Sequence, residues 1–219
     1  MSSDEKLFIG LDTSYEQGLV LVFNQEKVLF IQTLTNKFSH AQNIAEALKN
    51  AHDFCLTQNK AIDCVAVGVG PGSFVGIRIA LATALGFCMA TNIKLVSVCS
   101  HLALANSLDT NYSHVCVAMK AAGDLFYVSK FINDILINDI KVLNLDEINQ
   151  YVSKNFAIIS DFSDLFINYS EKSFINGVKA SGFLKAFLTK FNNIDLIKDE
   201  SLVIKPNYIK EVSINKKVT

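Results

Sequence analysis

The segment that most limits what this chain can fold into is "DCVAVGVGPGSFVGIRIALATALGF", residues 63–87. It begins as a short, unbroken apolar run ending in glycines, the pattern of a buried strand. A glycine turn follows, then a helix of small residues to about Ala90, and "KLVSVCS" supplies another buried strand. Such a strand–turn–helix–strand run belongs to an α/β layer. The stretch from Gly68 to Phe87 also holds one of the two prolines, half of the ten glycines and the single arginine, Arg78.

The flanking sequence fits the same class. "KLFIGLDTSYEQGLVLVF" reads as a hairpin, and "EKVLFIQTLT" adds a third strand. Apolar residues at Ala41, Ile44, Ala45, Leu48, Ala51 and Cys55 recur at helical spacing. The first half is therefore βββαβαβ, closed by the short helix "SHLALANSL". The second half begins again with a hairpin, "HVCVAMKAAGDLFYVSKF", and one or two strands follow in "INDILINDIKVLNL". "LDEINQYVSK" reads as a helix, "FAIISD" as a buried strand and "KASGFLKAFLTKF" as a later helix. The halves echo each other as hairpin-led α/β units. No Pro/Ser/Gly linker divides them, and the boundary is expected in "NSLDTNYS", giving domains 1–106 and 107–219.

Composition narrows the function. Half of the 219 residues are hydrophobic and 19% are charged, a globular balance. The net charge of -1 argues against a protein that holds nucleic acid unaided, since that needs a basic stripe to displace counterions. Five cysteines without a CxxC, each in an apolar context, read as reduced thiols and point to the cytoplasm. The polar start "MSSDEKLFIG" is not a signal peptide. The uncharged run between Arg78 and Lys94 is about 15 residues, too short for a typical membrane span.

The glycine turn has two readings. Backbone N–H groups at a helix start attract phosphate. Equally, Gly70, Pro71 and Gly72 make a tight turn and Ser73 caps the helix. The stricter phosphate signatures fail: position 73 of a GxGxxG is Ser73, and no GxxxxGK occurs. Asp12, Thr13 and Ser14 at the first hairpin are common turn chemistry, and Asp12 also suits phosphate-bound Mg²⁺. Gly76, Ala80, Ala84 and Cys88 fall four apart on one helix face, which lets a neighbour approach closely, either the chain's own sheet or a partner helix. None of His40, His52, His101 and His114 has metal-ligand spacing. His40 and His101 read as caps or surface residues.

"GVGPGSFVGIRIALATALGF" resembles the G-x-GPGSFTGxRIGxxxAxGL signature of the TsaB (YeaZ-like) family of tRNA threonylcarbamoyladenosine biosynthesis proteins. "LFIGLDTSYEQGLVLVF" resembles that family's opening hairpin, "FSHAQNIAEAL" its helix start and "KPNYIKEV" its closing element. The resemblance implies the fold of actin and the sugar kinases, with two similar subdomains, each a hairpin-led mixed sheet flanked by helices. It implies a non-catalytic, cofactor-free and metal-free partner of the larger paralogue TsaD. TsaD modifies the adenosine beside the anticodon of ANN-decoding tRNAs, and the ATPase TsaE completes the complex. The chain alone is then expected as a homodimer, and tRNA to be met only through the complex.

Three positions depart from the family pattern: Val75 replaces Thr, Ala41 replaces Ser, and Lys120-Ala121-Ala122 stands where relatives often have D-A-R. Each loses a polar group that the family often carries, as in a degenerate copy of an active fold. Asp12, Thr13, Gly70, Gly72, Ser73 and Arg78 are accordingly expected to form a relic phosphate loop, with Arg78 bracing it through carbonyls or Asp12. The faces Ala41, Ile44, Ala45, Leu48, Ala51 and Gly76, Ala80, Ala84, Cys88 are expected to meet the partner in a four-helix arrangement. The rivals are a stand-alone phosphotransferase or ATPase using the Gly70–Gly72 loop, and a metallopeptidase, which the missing metal spacing disfavours.

Overall fold

The fold was obtained as a computed structural model, which describes residues 6–35, 40–108, 112–166, 168–169 and 171–191. The expected "KPNYIKEV" element lies outside them. The first half forms β1 (Leu7–Asp12), β2 (Gly18–Phe23), β3 (Val28–Leu34), α1 (His40–Thr57), β4 (Ile62–Gly68), α2 (Phe74–Thr91), β5 (Lys94–Val98) and α3 (Ser100–Ala105). The second half forms β6 (His114–Lys120), β7 (Phe126–Ile132), β8 (Ile135–Leu136), β9 (Lys141–Leu143), α4 (Leu145–Tyr151), β10 (Ala157–Ser160), β11 (Lys172–Phe174) and α5 (Ala180–Lys190).

The two sheets repeat one plan. The first runs β3-β2-β1-β4-β5, with the hairpin strands antiparallel and β1, β4 and β5 parallel. The second runs β8-β7-β6-β10-β11, with β9 also on β7; β8, β9 and β6 pair antiparallel with β7, and β6, β10 and β11 run parallel. The echo between the halves is thus a repeat of topology. The short edge strand β11 escapes the sequence pattern because it has only three residues, two of them exposed.

Sidedness follows from the pleat. On β1, Leu7, Ile9 and Leu11 face a core shared with α1 and α2, while Phe8 faces the opposite way, toward α5. Both faces are covered, which is why β1 reads as a continuous apolar run and not as an alternation. On β6, Cys116 and Ala118 pack in a cluster with Ile148 of α4, and Val115, Val117 and Met119 face the middle of the molecule. The Asn144 cap and its reciprocal Glu147 bond fix the start of α4.

The middle layer is exchanged between the halves. The closing helix of the first half, α3, packs on β6 and β7, and the closing helix of the second half, α5, packs on β2, β3 and β5. Phe183 and Phe187 of α5 pack with Phe8 and Phe23 of the first sheet. The order of layers is therefore α1/α2, first sheet, α3/α5, second sheet, α4.

Helix α2 exceeds the uncharged run that sequence suggested, because Arg78 lies inside it. Among the described residues it is the one helix long and apolar enough to cross a membrane. Its inner face is buried in the chain's own core: Gly76, Ile77, Ala80, Ala84 and Cys88.

Candidate functional site

The ends of β1 and β4, the glycine loop and the start of α3 converge on a knot of polar groups sealed from solvent. Asp12, Thr13, Ser14, Ser100, His101 and Ser129 are all buried. Asp12 accepts the Ser14 N–H at 2.7 Å on one carboxylate oxygen and the Ser100 hydroxyl at 2.6 Å on the other. Ser100 Oγ in turn accepts the Gly70 N–H at 3.0 Å and lies 3.1 Å from Ser14 Oγ. Thr13 donates its hydroxyl to the Gly76 carbonyl at 2.7 Å. Tyr15 donates to the Pro71 carbonyl at 2.7 Å, and burial, then the Asp12 carboxylate, hold its phenol well above the usual range.

The glycines serve these close approaches. A Cβ on Gly68 would overlap the Asp12 carboxylate, and one on Gly76 would overlap the Thr13 carbonyl oxygen. The glycine richness therefore lets the β1 turn and the loop pack backbone against backbone.

This packing engages part of the loop's donor set within the chain. A phosphate cradle needs N–H groups aimed at its ligand. Here the Gly70 N–H goes to Ser100, the Ser73 N–H to the Ser14 carbonyl at 2.7 Å, and the Gly76 N–H to Ser73 Oγ at 3.3 Å. Pro71 has none to give. Ser73 is the helix cap that its sequence suggested.

Arg78 lies on the outer side of α2. It is exposed on α2, its guanidinium 3.7 Å from the ring centre of Phe74, while Asp12 is enclosed by the serines. The helix carries it outward because Gly76 and Ile77 take the inward positions of that turn.

Ser100→Ala removes a buried hydrogen bond to the Asp12 carboxylate and one from the Gly70 N–H, and should cost about 1–3 kcal/mol in urea unfolding. A cost within about 0.5 kcal/mol, the range of an ordinary surface substitution, would show that this knot does not hold the loop.

Above the knot, between the halves, opens a cleft of about 730 Å³. Tyr15, Ser73 and Phe74 line one wall, and Lys120, Phe162 and Asn176 the other. Gly72 also borders it, whereas Asp12, Thr13, Gly70 and Arg78 do not. Lys120, which departs from the family's D-A-R pattern, places its ammonium 4.6 Å from the ring centre of Phe126 and 5.3 Å from that of Phe162. Among the described residues, no cluster of three or more His, Cys, Asp or Glu could hold a metal.

His101 corrects another expectation. It is wholly buried, neither cap nor surface residue. Its Nδ1 lies 2.6 Å from Ser129 Oγ, its ring stacks beside Tyr15, and its Nε2 has no partner among the described residues. Burial lowers its pKa to about 3. Ser100 and Ser129 also went unnoticed in sequence. The available signals were a Ser-His pair directly after a buried strand and a serine inside the apolar run of β7.

The expected partner faces are redistributed. Gly76, Ala80, Ala84 and Cys88 are buried against the chain's own sheet, and so are Ile44, Leu48 and Ala51 of α1. These seven are core residues of the single chain. Of the expected set, Ala41 and Ala45 remain exposed. The opposite side of α2 carries a row that sequence reasoning missed: Val75, Leu85 and Met89 are 63%, 39% and 75% exposed. With Arg78 and Ala82 they fall at spacings of three and four along the outer face.

Comparison with known proteins places this geometry. An uncharacterized protein with similarity to peptidase YEAZ, from Pseudomonas aeruginosa, superposes with a TM-score of 0.70 at 19% identity, over 86% of this chain and 94% of that one. YeaZ from Pseudomonas aeruginosa gives 0.70 and 19%, over 85% and 93%. The ethanolamine utilization protein EutJ from Carboxydothermus hydrogenoformans gives 0.51 at 11%, over 84% and 90%. The fold is thus YeaZ-like, within the actin-like ATPase and sugar-kinase class. The model of TsaD, tRNA N6-adenosine threonylcarbamoyltransferase, matches residues 33–158, more than half of the sequence. A TsaB-like chain by its motifs and its fold, it belongs to that TsaD family.

Proposed function

We propose that this chain is a non-catalytic, cytoplasmic partner subunit that activates or scaffolds the catalytic TsaD in forming N6-threonylcarbamoyladenosine on tRNA. The observation that carries the reading is α2, which is apolar on both its inner and outer faces apart from Arg78. Its inner face is in the core, and its outer face offers Val75, Leu85 and Met89 to solvent. A helix apolar on both faces belongs inside a larger body. Exposed large apolar residues in a row mark a protein contact.

The internal use of the Gly70, Ser73 and Gly76 N–H groups supports the non-catalytic part, since these three donors are engaged within the chain and not aimed at a transferring phosphoryl group. TsaE joins the larger assembly. With a net charge of -1, tRNA is met through the complex.

Helices α1 and α2 pack together, with His52 edge-on to Phe87. Two such helices docking on the equivalent pair of TsaD make a four-helix contact, with Ala41 and Ala45 at its side. The isolated chain uses the same face for an isologous homodimer, so TsaD and the second copy compete.

Leu85→Lys and Met89→Lys together should leave the melt close to wild type, since both side chains point to solvent. They should weaken TsaD binding by roughly tenfold or more, as expected for central apolar anchors. Ala84→Leu should instead lower the melting temperature, because Ala84 sits in the chain's own core. Size-exclusion chromatography with TsaD beside a thermal melt distinguishes the two effects. Full binding by a folded lysine double variant would remove this face from the interface.

A further inference from the structure

Two-lobed chains move about their cleft by default, unless the lobes share a large apolar interface. This chain has that interface and a set of buried polar bonds across it. The central core joins Phe8, Phe23 and Val96 of the first sheet to Val117, Phe131 and Ile159 of the second.

Helix α3 is bonded to both sides at successive residues. Ser100 holds Asp12 and the Gly70 N–H of the first lobe, and His101 holds Ser129 on β7 of the second. A separate clip lies where the Gln17 N–H donates to the Asn176 carbonyl at 3.0 Å, with Gln17 bridged to Gly177. The exchanged helices lock in the same way. A Cβ on Gly182 of α5 would overlap the Ala103 carbonyl oxygen of α3, and the Lys179 N–H donates to Ser107 Oγ at 3.0 Å.

We propose that this chain is a fixed-angle body: the α3 clasp, Ser100 to one lobe and His101 to the other, holds the cleft open at one width without any ligand. Bonds inside the chain do the work that a bound ligand does in a hinged protein. His101 fits this role, since its Nε2 is buried without a partner among the described residues. Burying such a group is a cost that a group with only a packing role would shed. The clasp makes α2 and the second lobe one rigid surface. It stands independently of which partner reads that surface.

The test is a distance between the two lobes by pulsed electron paramagnetic resonance. Spin labels go on Gln25→Cys and Lys154→Cys, both exposed and far from the clasp in sequence. The native cysteines are buried, apart from Cys99, which is half-buried. The wild-type background should give a single narrow distance distribution, unmoved by Mg-ATP. Ser129→Ala, which keeps the His101 ring and removes its bond, should broaden the distribution or add a second peak while the protein still melts cooperatively. His101→Leu should do the same. Two peaks in the wild-type background, a shift on adding Mg-ATP, or an unchanged narrow peak in folded Ser129→Ala would overturn the proposal.

Discussion

Acidification should destabilise this protein through His101 more steeply than its carboxylates alone would. The folded imidazole takes its proton only near pH 3, because burial penalises the charged form, whereas an unfolded one takes it near 6.5. Between those values the unfolded state binds the extra proton. Stability is therefore full above about 6.5 and declines as pH falls toward 3. The whole window corresponds to roughly 4–5 kcal/mol, and the part from 6.5 to 4.5 to about 2–3 kcal/mol.

Urea melts at pH 7 and pH 4.5, on wild type and His101→Gln, isolate the effect. The glutamine retains a polar atom for Ser129 and cannot titrate, so its loss of stability between the two pH values should be smaller by about 2–3 kcal/mol. Equal losses in the two proteins would mean that His101 is protonated in the fold at mild acidity. The buried clasp would then be wrongly drawn.

Two glycine-to-alanine changes on one helix should have opposite signs. Gly86 faces open space, and alanine there should stabilise by roughly 0.5–1 kcal/mol through backbone entropy and helix propensity. Gly76, in the first turn, is pressed against the Thr13 carbonyl oxygen, which is itself backbone and cannot swing aside. Alanine there has to push α2 off the β1 turn and strain the Thr13 bond to the Gly76 carbonyl, at a cost of about 1–3 kcal/mol or more. Thermal melts of both variants decide. A Gly76→Ala protein as stable as Gly86→Ala would show that the loop is not packed against the β1 turn.

Much of the fold is legible in the sequence, because hydrophobic period and turn chemistry are local. The hairpins, the buried strands β4, β5 and β10, and the capped start of α2 all follow from neighbours in the chain. What sequence could not settle depends on distant partners. The glycine loop looks the same whether its N–H groups meet phosphate or meet Ser14 and Ser100, and those serines lie 59 and 30 residues away from their bonded partners Ser73 and Gly70.

The same ambiguity governed α2. Small residues four apart show that something approaches closely, and the chain's own sheet satisfies that as well as a partner helix. With apolar residues on every side, periodicity could not say which face was inner. The exposed row of Val75, Leu85 and Met89 emerges only once the sheet has claimed Ala80 and Ala84. His101 was misplaced for a related reason: a polar residue after a strand is usually at the surface, but α3 is swapped onto the opposite sheet and carries it inward.

The most direct test of the central claim is reconstitution of the tRNA reaction. Unmodified ANN-decoding tRNA is incubated with threonylcarbamoyl-adenylate, ATP, and TsaD and TsaE from the same cell. Mass spectrometry of the digested nucleosides then measures threonylcarbamoyladenosine. The account predicts product with wild-type chain, none with the chain in place of TsaD, and a loss of roughly tenfold or more with the folded Leu85→Lys, Met89→Lys variant. Product formed by this chain without TsaD, or undiminished product with the double variant, would contradict it.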